Sequence, residues 1–150
     1  MDHRANIFQE VFATADNCAD MCGKSCTYLY QGLSYRDTDW FTVTSDASGT
    51  ASGTCEAEFP LQFILIYVAD CNNLQYLLQQ AQCATPITLT YPTYEGQEIW
   101  WWVGASVFTG VPESIYALHV CGITGIVPPV PVEESSWGVI KNAYKEPLRK

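Results

Sequence analysis

Hydrophobic and polar residues alternate with a period of two along much of the chain, and this alternation predicts strands. The clearest case is residues 86–91, in which apolar residues fall on one side and threonines on the other. Residues 28–34 and 40–44 are short and rich in aromatic and β-branched residues, as is typical of strands. Residues 99–105 and 115–123 add two more segments of this kind. Turn sequences such as DCNN, YPTYEG and FTGVPES separate the later segments.

Three further segments complete this pattern. Residues 61–69 are apolar on both alternating sides except at Gln62, which predicts a central strand that is covered on both faces. The Ser/Gly/Thr-rich segment 45–54 predicts a turn region with weak strand potential. Residues 73–82 carry leucines at helical spacing, which predicts one or two helical turns. At least six short strands nevertheless predict an all-β fold, an antiparallel sandwich or barrel.

Composition divides the chain into three parts. Residues 1–26 form a mixed N-terminal segment with three cysteines, and residues 27–127 carry the predicted strands of a β-sandwich domain. Residues 128–150 begin with a proline-rich, extended linker and end in a basic tail. Trp137 and Ile140 fall near one helical face of that tail. We therefore expect a short C-terminal helix that follows the linker.

The net charge of −9 is distributed unevenly. Between Thr27 and Val127 there is one basic residue, Arg36, against nine acidic residues. Such a domain repels phosphate groups, so we expect no nucleic-acid partner. No segment approaches the run of about twenty apolar residues that a membrane helix needs, so we expect no membrane insertion.

Seven cysteines are dense for a cytosolic protein of 150 residues and predict disulfides in an oxidising compartment. Cys71 and Cys83 bracket the predicted helical turns, and this pair is the first that we expect, its closed loop contributing about 3 kcal/mol. Cys55 and Cys121 lie in or beside predicted strands and form a second candidate pair. The other three share a four-residue spacing, which offers one local bridge and one cysteine left over, with a zinc site as the alternative. They are Cys18, Cys22 and Cys26.

Disulfides predict a secreted or cell-surface protein. Export requires a leader peptide, and residues 1–20 contain no continuous apolar run of that kind. We expect that leader to have been removed or to lie upstream.

Several segments resemble the pre-peptidase C-terminal (PPC-type) domain of bacterial secreted proteins. The resemblance begins at DTDWFTVTSDASGT, residues 37–50, and continues at FPLQFILIYVADC, residues 59–71. It also includes the Trp-Val-Gly strand at 102–104 and the segment FTGVPESIYALHV at 108–120. The resemblance covers about residues 15–125 and contains no catalytic motif. It implies a β-sandwich of jelly-roll-like shape in an exported protein, with a role in secretion, in inhibition before maturation, or in binding polymers such as polysaccharide or collagen.

The run Trp100, Trp101 and Trp102 is the strongest candidate for a binding surface. In a strand, Trp101 takes one face and the other two take the opposite face. Exposed rings in a row offer a stacking platform for sugars or an apolar patch for a protein partner. The alternative is that a loop or a terminal segment covers them. Tyr94 and Trp40 are candidates to extend the aromatic surface.

Asp37 and Asp39 flank Thr38 and point to one side of an extended segment. Two carboxylates of this kind are candidate ligands of calcium, which takes six to eight oxygen ligands in all. The alternative is that both carboxylates cap turns or face solvent. We expect no other cofactor.

His119 and Cys121 share one face of a predicted strand, which makes a Cys–His pair formally possible. A catalytic thiol also needs a cleft and a lowered pKa, which nothing in the sequence indicates. The sequence contains no G-x-S-x-G, no H-E-x-x-H and no glycine-rich phosphate loop. We therefore expect a non-catalytic structural or interaction module of an exported bacterial protein, self-associating or bound to a protein partner. The alternative is a carbohydrate- or polymer-binding accessory domain, with or without calcium.

Overall fold

The chain forms an all-β fold of antiparallel sheets in the computed structural model, which describes residues 10–14 and 17–126. No helix occurs within these residues, and so none that is long and apolar enough to cross a membrane. The predicted linker and C-terminal helix lie outside the described residues. The strands are β1 Glu10–Thr14, β2 Cys18–Ser25, β3 Thr27–Tyr30, β4 Leu33–Arg36, β5 Thr38–Ser45, β6 Thr50–Ala57, β7 Leu61–Asp70, β8 Asn73–Ala81, β9 Ile87–Pro92, β10 Glu98–Ala105, β11 Ser114–Cys121 and β12 Ile123–Ile126.

Ten strands form two five-stranded sheets, and β3 and β4 form a separate hairpin. The first sheet has the order β1-β2-β11-β6-β9, and the second has the order β12-β5-β10-β7-β8. The N-terminal segment that composition set apart as residues 1–26 contributes β1 and β2 to the first sheet. Its alternation, with Ala19 and Met21 buried, makes β2 part of the shared core.

One buried core lies between the two sheets. Trp101 of β10 is fully buried and stacks on Phe63 of β7, with ring centroids 5.3 Å apart. Gly53 of β6 lies against this indole, since a Cβ at that position would come within 2.7 Å of its ring carbons. Small residues of β6 therefore face the largest side chain of the opposite sheet, and this complementarity holds the two layers together.

The helical prediction for residues 73–82 is wrong. These residues form β8, which pairs with β7 along its whole length, from Leu61 opposite Ala81 to Asp70 opposite Asn73. The backbone N–H of Asn72 donates to Asp70 Oδ1 over 2.8 Å and closes the turn between the two strands. Pairing with the largely apolar strand β7 thus overrides the local leucine spacing.

Three other segments also differ from their predictions. The Ser/Gly/Thr-rich segment contains the turn before β6 and most of that strand, rather than a turn region alone. The single strand predicted at 28–34 is the hairpin β3–β4, whose turn places Gln31 and Gly32 at positive φ, as in the common two-residue hairpin loops. The segment 115–123 divides at Gly122, whose φ of 79° lets the chain leave β11 and cross to β12 in the second sheet.

Candidate functional site

The outer side of the second sheet carries two parallel rows of apolar side chains. The antiparallel registers of β5, β10, β7 and β8 place Trp40, Trp102, Ile64 and Leu78 side by side in one row. The neighbouring row runs through Trp100, Ile66 and Tyr76. We call this surface the aromatic face, and its members are Trp40, Ile64, Ile66, Tyr76, Leu78, Trp100 and Trp102.

Trp40 is the most prominent side chain of the aromatic face. It is 51% exposed, and its ring lies edge-on to those of Trp100 and Trp102 at centroid distances of 6.0 and 6.4 Å. Trp100 is half-buried, and its indole N–H donates to Glu98 Oε1 over 2.6 Å. The three rings therefore hold one another in fixed orientations before any partner arrives, which lowers the entropic cost of binding.

Trp102 belongs to the same face but is only 6% exposed. Its ring lies over Gly104, where a Cβ would come within 2.8 Å of the indole. The guanidinium of Arg36 covers it at 5.0 Å from the ring centroid and also lies 4.4 Å from the ring of Phe108. Arg36 is held there because it donates a hydrogen bond to the carbonyl of Ala105 over 2.7 Å. Trp102 thus supports the aromatic face, while Trp40 is the ring that a partner would touch.

Two of the residues predicted for this surface lie elsewhere. Trp101 points to the opposite side of β10 and is buried in the core. Tyr94 is 70% exposed, but it lies in the loop between β9 and β10 rather than on a strand of the aromatic face.

Of the two predicted calcium ligands, Asp39 lies on the inner side of β5 and Asp37 lies just before this strand. Asp39 is 2% exposed, and its Oδ2 accepts a hydrogen bond of 2.5 Å from the hydroxyl of Tyr116. Burial, followed by the charge of Asp39, raises the pKa of Tyr116, so the phenol keeps its proton and donates. Asp37 is half-buried, and burial raises its pKa as well. These carboxyl groups thus point toward the protein core, whereas calcium needs six to eight converging oxygen atoms.

The β3–β4 hairpin is a second apolar surface, and the sequence analysis missed it. Leu29, Tyr30, Leu33 and Tyr35 are all exposed on this hairpin. The rings of Tyr28 and Tyr35 stack across its two strands at 5.6 Å. The Gln-Gly pair between two short aromatic runs was the signal that would have revealed the hairpin.

One disulfide joins β2 to β11 in the described part of the chain, between Cys18 and Cys121. The structure does not bring the predicted partners together. Cys71 and Cys83 are exposed thiols at opposite ends of β8, and a nine-residue strand separates its ends by roughly 30 Å. Cys55 is buried in the core, where burial raises the pKa of its thiol to about 12.

The other two cysteines of the N-terminal triplet do not form a metal cluster with Cys18. Cys22 is half-buried on the outer side of β2, opposite Ala117, and Cys26 is buried just beyond the end of this strand. Burial raises the pKa of Cys26, as do the charges of Asp37 and Glu113.

The disulfide belongs to a polar cluster on the outer side of the first sheet. His119 Nε2 lies 3.2 Å from Cys121 Sγ, and His119 Nδ1 lies 2.5 Å from Asp20 Oδ1. His119 is exposed, as its alternation with buried neighbours predicts. The donor atoms of Cys18, His119 and Cys121 all lie within 4.8 Å of one another, so these are residues that could hold a metal ion. The sequence placed His119 near Cys121, but Asp20 and Cys18 come from a strand that is about 100 residues away in the sequence and pairs directly with β11.

No protein family model matches this chain, and no match is found among curated proteins. The resemblance to the PPC-type domain therefore remains a prediction.

Proposed function

We propose that this protein is a non-catalytic interaction module of an exported protein, and that it associates with a second copy of itself through the aromatic face. The scaffold of this module is a jelly-roll-like β-sandwich. The observation that carries the proposal is the pair of adjacent apolar rows on the outer side of the second sheet, in which Trp40, Tyr76 and Leu78 are exposed. The disulfide between Cys18 and Cys121 is consistent with an extracellular location.

The composition of the aromatic face favours a protein partner. Aliphatic side chains such as Ile64 and Leu78 lie between the aromatic ones, which is how the apolar centre of a protein interface is built. Tryptophan, tyrosine and arginine dominate the binding energy of such interfaces. The aromatic face contains three tryptophans and Tyr76, and Arg36 lies at its side over Trp102.

The edge of the same sheet favours a second copy of this chain. β8 is an edge strand of nine residues, NLQYLLQQA, with no charged residue and no proline. Natural edge strands usually carry such residues because an unprotected edge pairs with another strand. Tyr76 and Leu78 of this strand also belong to the aromatic face, so edge and face form one continuous surface.

Sugar binding is the second candidate, and the ring orientations favour it less than a protein partner. A polysaccharide platform needs rings whose flat sides face the solvent together. Trp40 stands at 89° to Trp100 and 87° to Trp102, so the three rings do not share a plane. The observation that favours glycan binding is the exposed indole of Trp40, on which a sugar ring could stack.

The test compares Trp40→Thr with Tyr94→Thr by sedimentation over a wide concentration range. Threonine suits position 40, since Thr38 and Thr42 flank it on the same strand and β-branched residues favour strands. We expect a concentration-dependent dimer that Trp40→Thr weakens roughly 30-fold, which corresponds to about 2 kcal/mol at an interface hot spot. Tyr94→Thr removes an exposed ring outside the aromatic face and should leave the dimer unchanged.

A wild-type protein that stays monomeric at the highest concentration would refute self-association. Binding to a glycan array that is lost in Trp40→Thr and kept in Tyr94→Thr would then establish the carbohydrate alternative. Equal effects of both variants on the dimer would remove the aromatic face from the proposal.

A further inference from the structure

The cluster around the disulfide has the composition of a zinc site. Thiolate and imidazole are the ligands that zinc prefers in proteins, and Cys18, Cys121 and His119 supply two sulfurs and one nitrogen. The cluster lies on the outer side of the first sheet, so it is separate from the aromatic face and from the proposed function.

Strand register brings these residues together. In the antiparallel pair of β2 and β11, Cys18 lies directly opposite Cys121 and Asp20 lies directly opposite His119. Residues two apart in a strand point to the same face, so all four side chains project from one side of the sheet. This arrangement belongs to the rigid part of the fold rather than to a loop.

Asp20 determines which nitrogen of His119 is available. An ionised carboxylate only accepts hydrogen bonds, so the proton of the 2.5 Å contact lies on Nδ1 of the histidine. In the neutral ring, Nε2 then has the free lone pair, and it is Nε2 that lies 3.2 Å from Cys121 Sγ. A carboxylate that holds the outer nitrogen of a histidine is the usual second partner of a histidine that binds zinc.

We propose that reduction of the Cys18–Cys121 disulfide converts this cluster into a zinc-binding site. A dithiol reductant supplies two electrons and two protons, so the protein S–S bond breaks, two thiols form, and the reductant becomes a disulfide. Zn²⁺ then displaces the two thiol protons and binds both thiolates and His119 Nε2, with water as the fourth ligand. Two protons are released for each zinc ion that binds.

Cys18 and Cys121 lie directly opposite each other on adjacent strands, so both sulfurs can reach one zinc ion. Zinc–sulfur bonds of about 2.3 Å at tetrahedral angles place two sulfurs about 3.8 Å apart. Rotation of the two cysteine side chains on adjacent strands provides this separation. The oxidised protein has no thiolate at either position, so zinc binding is controlled by the redox state.

The test uses cobalt(II) as a spectroscopic probe in the full chain, because tetrahedral cobalt bound to thiolates has distinctive absorption. Cys71 and Cys83 are first replaced by serine so that these exposed thiols cannot bind metal. We expect the phosphine-reduced protein to bind one cobalt ion with the absorption of two thiolates, and zinc to displace it. The oxidised protein should show no such absorption.

Four variants in the same background locate the site. Cys121→Ser and His119→Ala should abolish the tetrahedral spectrum, and Asp20→Asn should weaken zinc binding about 10- to 100-fold. The matched control is Cys22→Ser, which removes another thiol from the same face of β2 and should change nothing. A spectrum that survives Cys121→Ser, or equal binding by oxidised and reduced protein, would overturn the proposal.

The zinc site can also be tested if the protein unfolds when its disulfide is reduced. If the reduced chain unfolds, zinc should restore the near-ultraviolet circular dichroism of its tryptophans, because binding energy then becomes folding energy. That recovery should require His119. A reduced chain that zinc cannot refold, or that refolds equally as His119→Ala, would refute the zinc site.

Discussion

Loss of the Cys18–Cys121 disulfide should destabilise this protein strongly. The bond joins residues 103 positions apart in a chain of 150, and so it restricts a large part of the unfolded chain. The chain-entropy relation gives about 4.7 kcal/mol for a loop of this size. Domains of this size are stable by only about 5 to 15 kcal/mol, so a third or more of the stability depends on one bond.

Urea unfolding of three samples measures this contribution: the oxidised protein, the same protein after phosphine reduction, and the Cys18→Ser/Cys121→Ser variant. We expect the last two to agree and to lose between about 2 and 5 kcal/mol of unfolding free energy. The control is Cys71→Ser/Cys83→Ser, which removes two exposed thiols and should change stability by less than about 0.5 kcal/mol.

The reverse outcome would refute the pairing. A bridge between Cys71 and Cys83 closes a short loop worth about 3 kcal/mol, so the control variant would then be the destabilised one. Proteolytic peptide mapping without reduction distinguishes the two pairings directly. A linked peptide that contains Cys71 and Cys83 would show that β8 does not separate them as the structure has it.

Three other predictions follow from the core and its edges. Gly53→Ala should lower the unfolding free energy by about 1 to 3 kcal/mol, because the new methyl group would clash with the ring of Trp101. An unchanged urea midpoint would contradict this packing. Burial of Cys55 and its pKa of about 12 predict that iodoacetamide modifies Cys71 in the folded protein at pH 8 but reaches Cys55 only after unfolding, which mass spectrometry checks. Burial raises the pKa of Asp37, so its contribution to stability is complete below about pH 4 and is lost as the pH rises through the raised value. Asp37→Asn should therefore raise the melting temperature at pH 7 and have no such effect below pH 4, and an equal gain at both pH values would exclude titration as the cause.

Strands with one buried face were predictable from the sequence alone. In β9 the period of two is visible because Ile87 and Leu89 are buried while Thr88 and Thr90 face solvent. The same period places Trp101 on the opposite side of β10 from its two tryptophan neighbours, as the structure has it. The alternation is visible in β9 because only one of its faces is buried, whereas β10 is buried on both faces from Trp101 to Ala105 and was predicted from its aromatic and apolar composition.

The strands that were missed depend on partners that a local pattern does not contain. β6 looks like a turn region because it is built from Ala51, Gly53 and other small residues. Small residues are required there, since Trp101 of the opposite sheet occupies the space above them. β8 has leucines at helical spacing, and only its pairing with β7 makes it a strand. The sequence therefore lacked two kinds of information: the size of the side chain that faces β6 across the core, and the strand with which β8 pairs.

The polar cluster on the first sheet could be predicted only in part, because each strand supplies only half of its residues. Each strand contributes an alternating pair, Cys18 with Asp20 on β2 and His119 with Cys121 on β11. In the sequence, neither pair by itself indicates a site. The segment that contains His119 and Cys121 has no carboxylate that could orient the histidine. The antiparallel register matches cysteine with cysteine and aspartate with histidine at the same time. A slip of one residue would send one pair to the opposite face and break both contacts, because side chains alternate along a strand. The disulfide and the Asp20–His119 contact therefore report on the same register, and any variant that shifts it should lose both together.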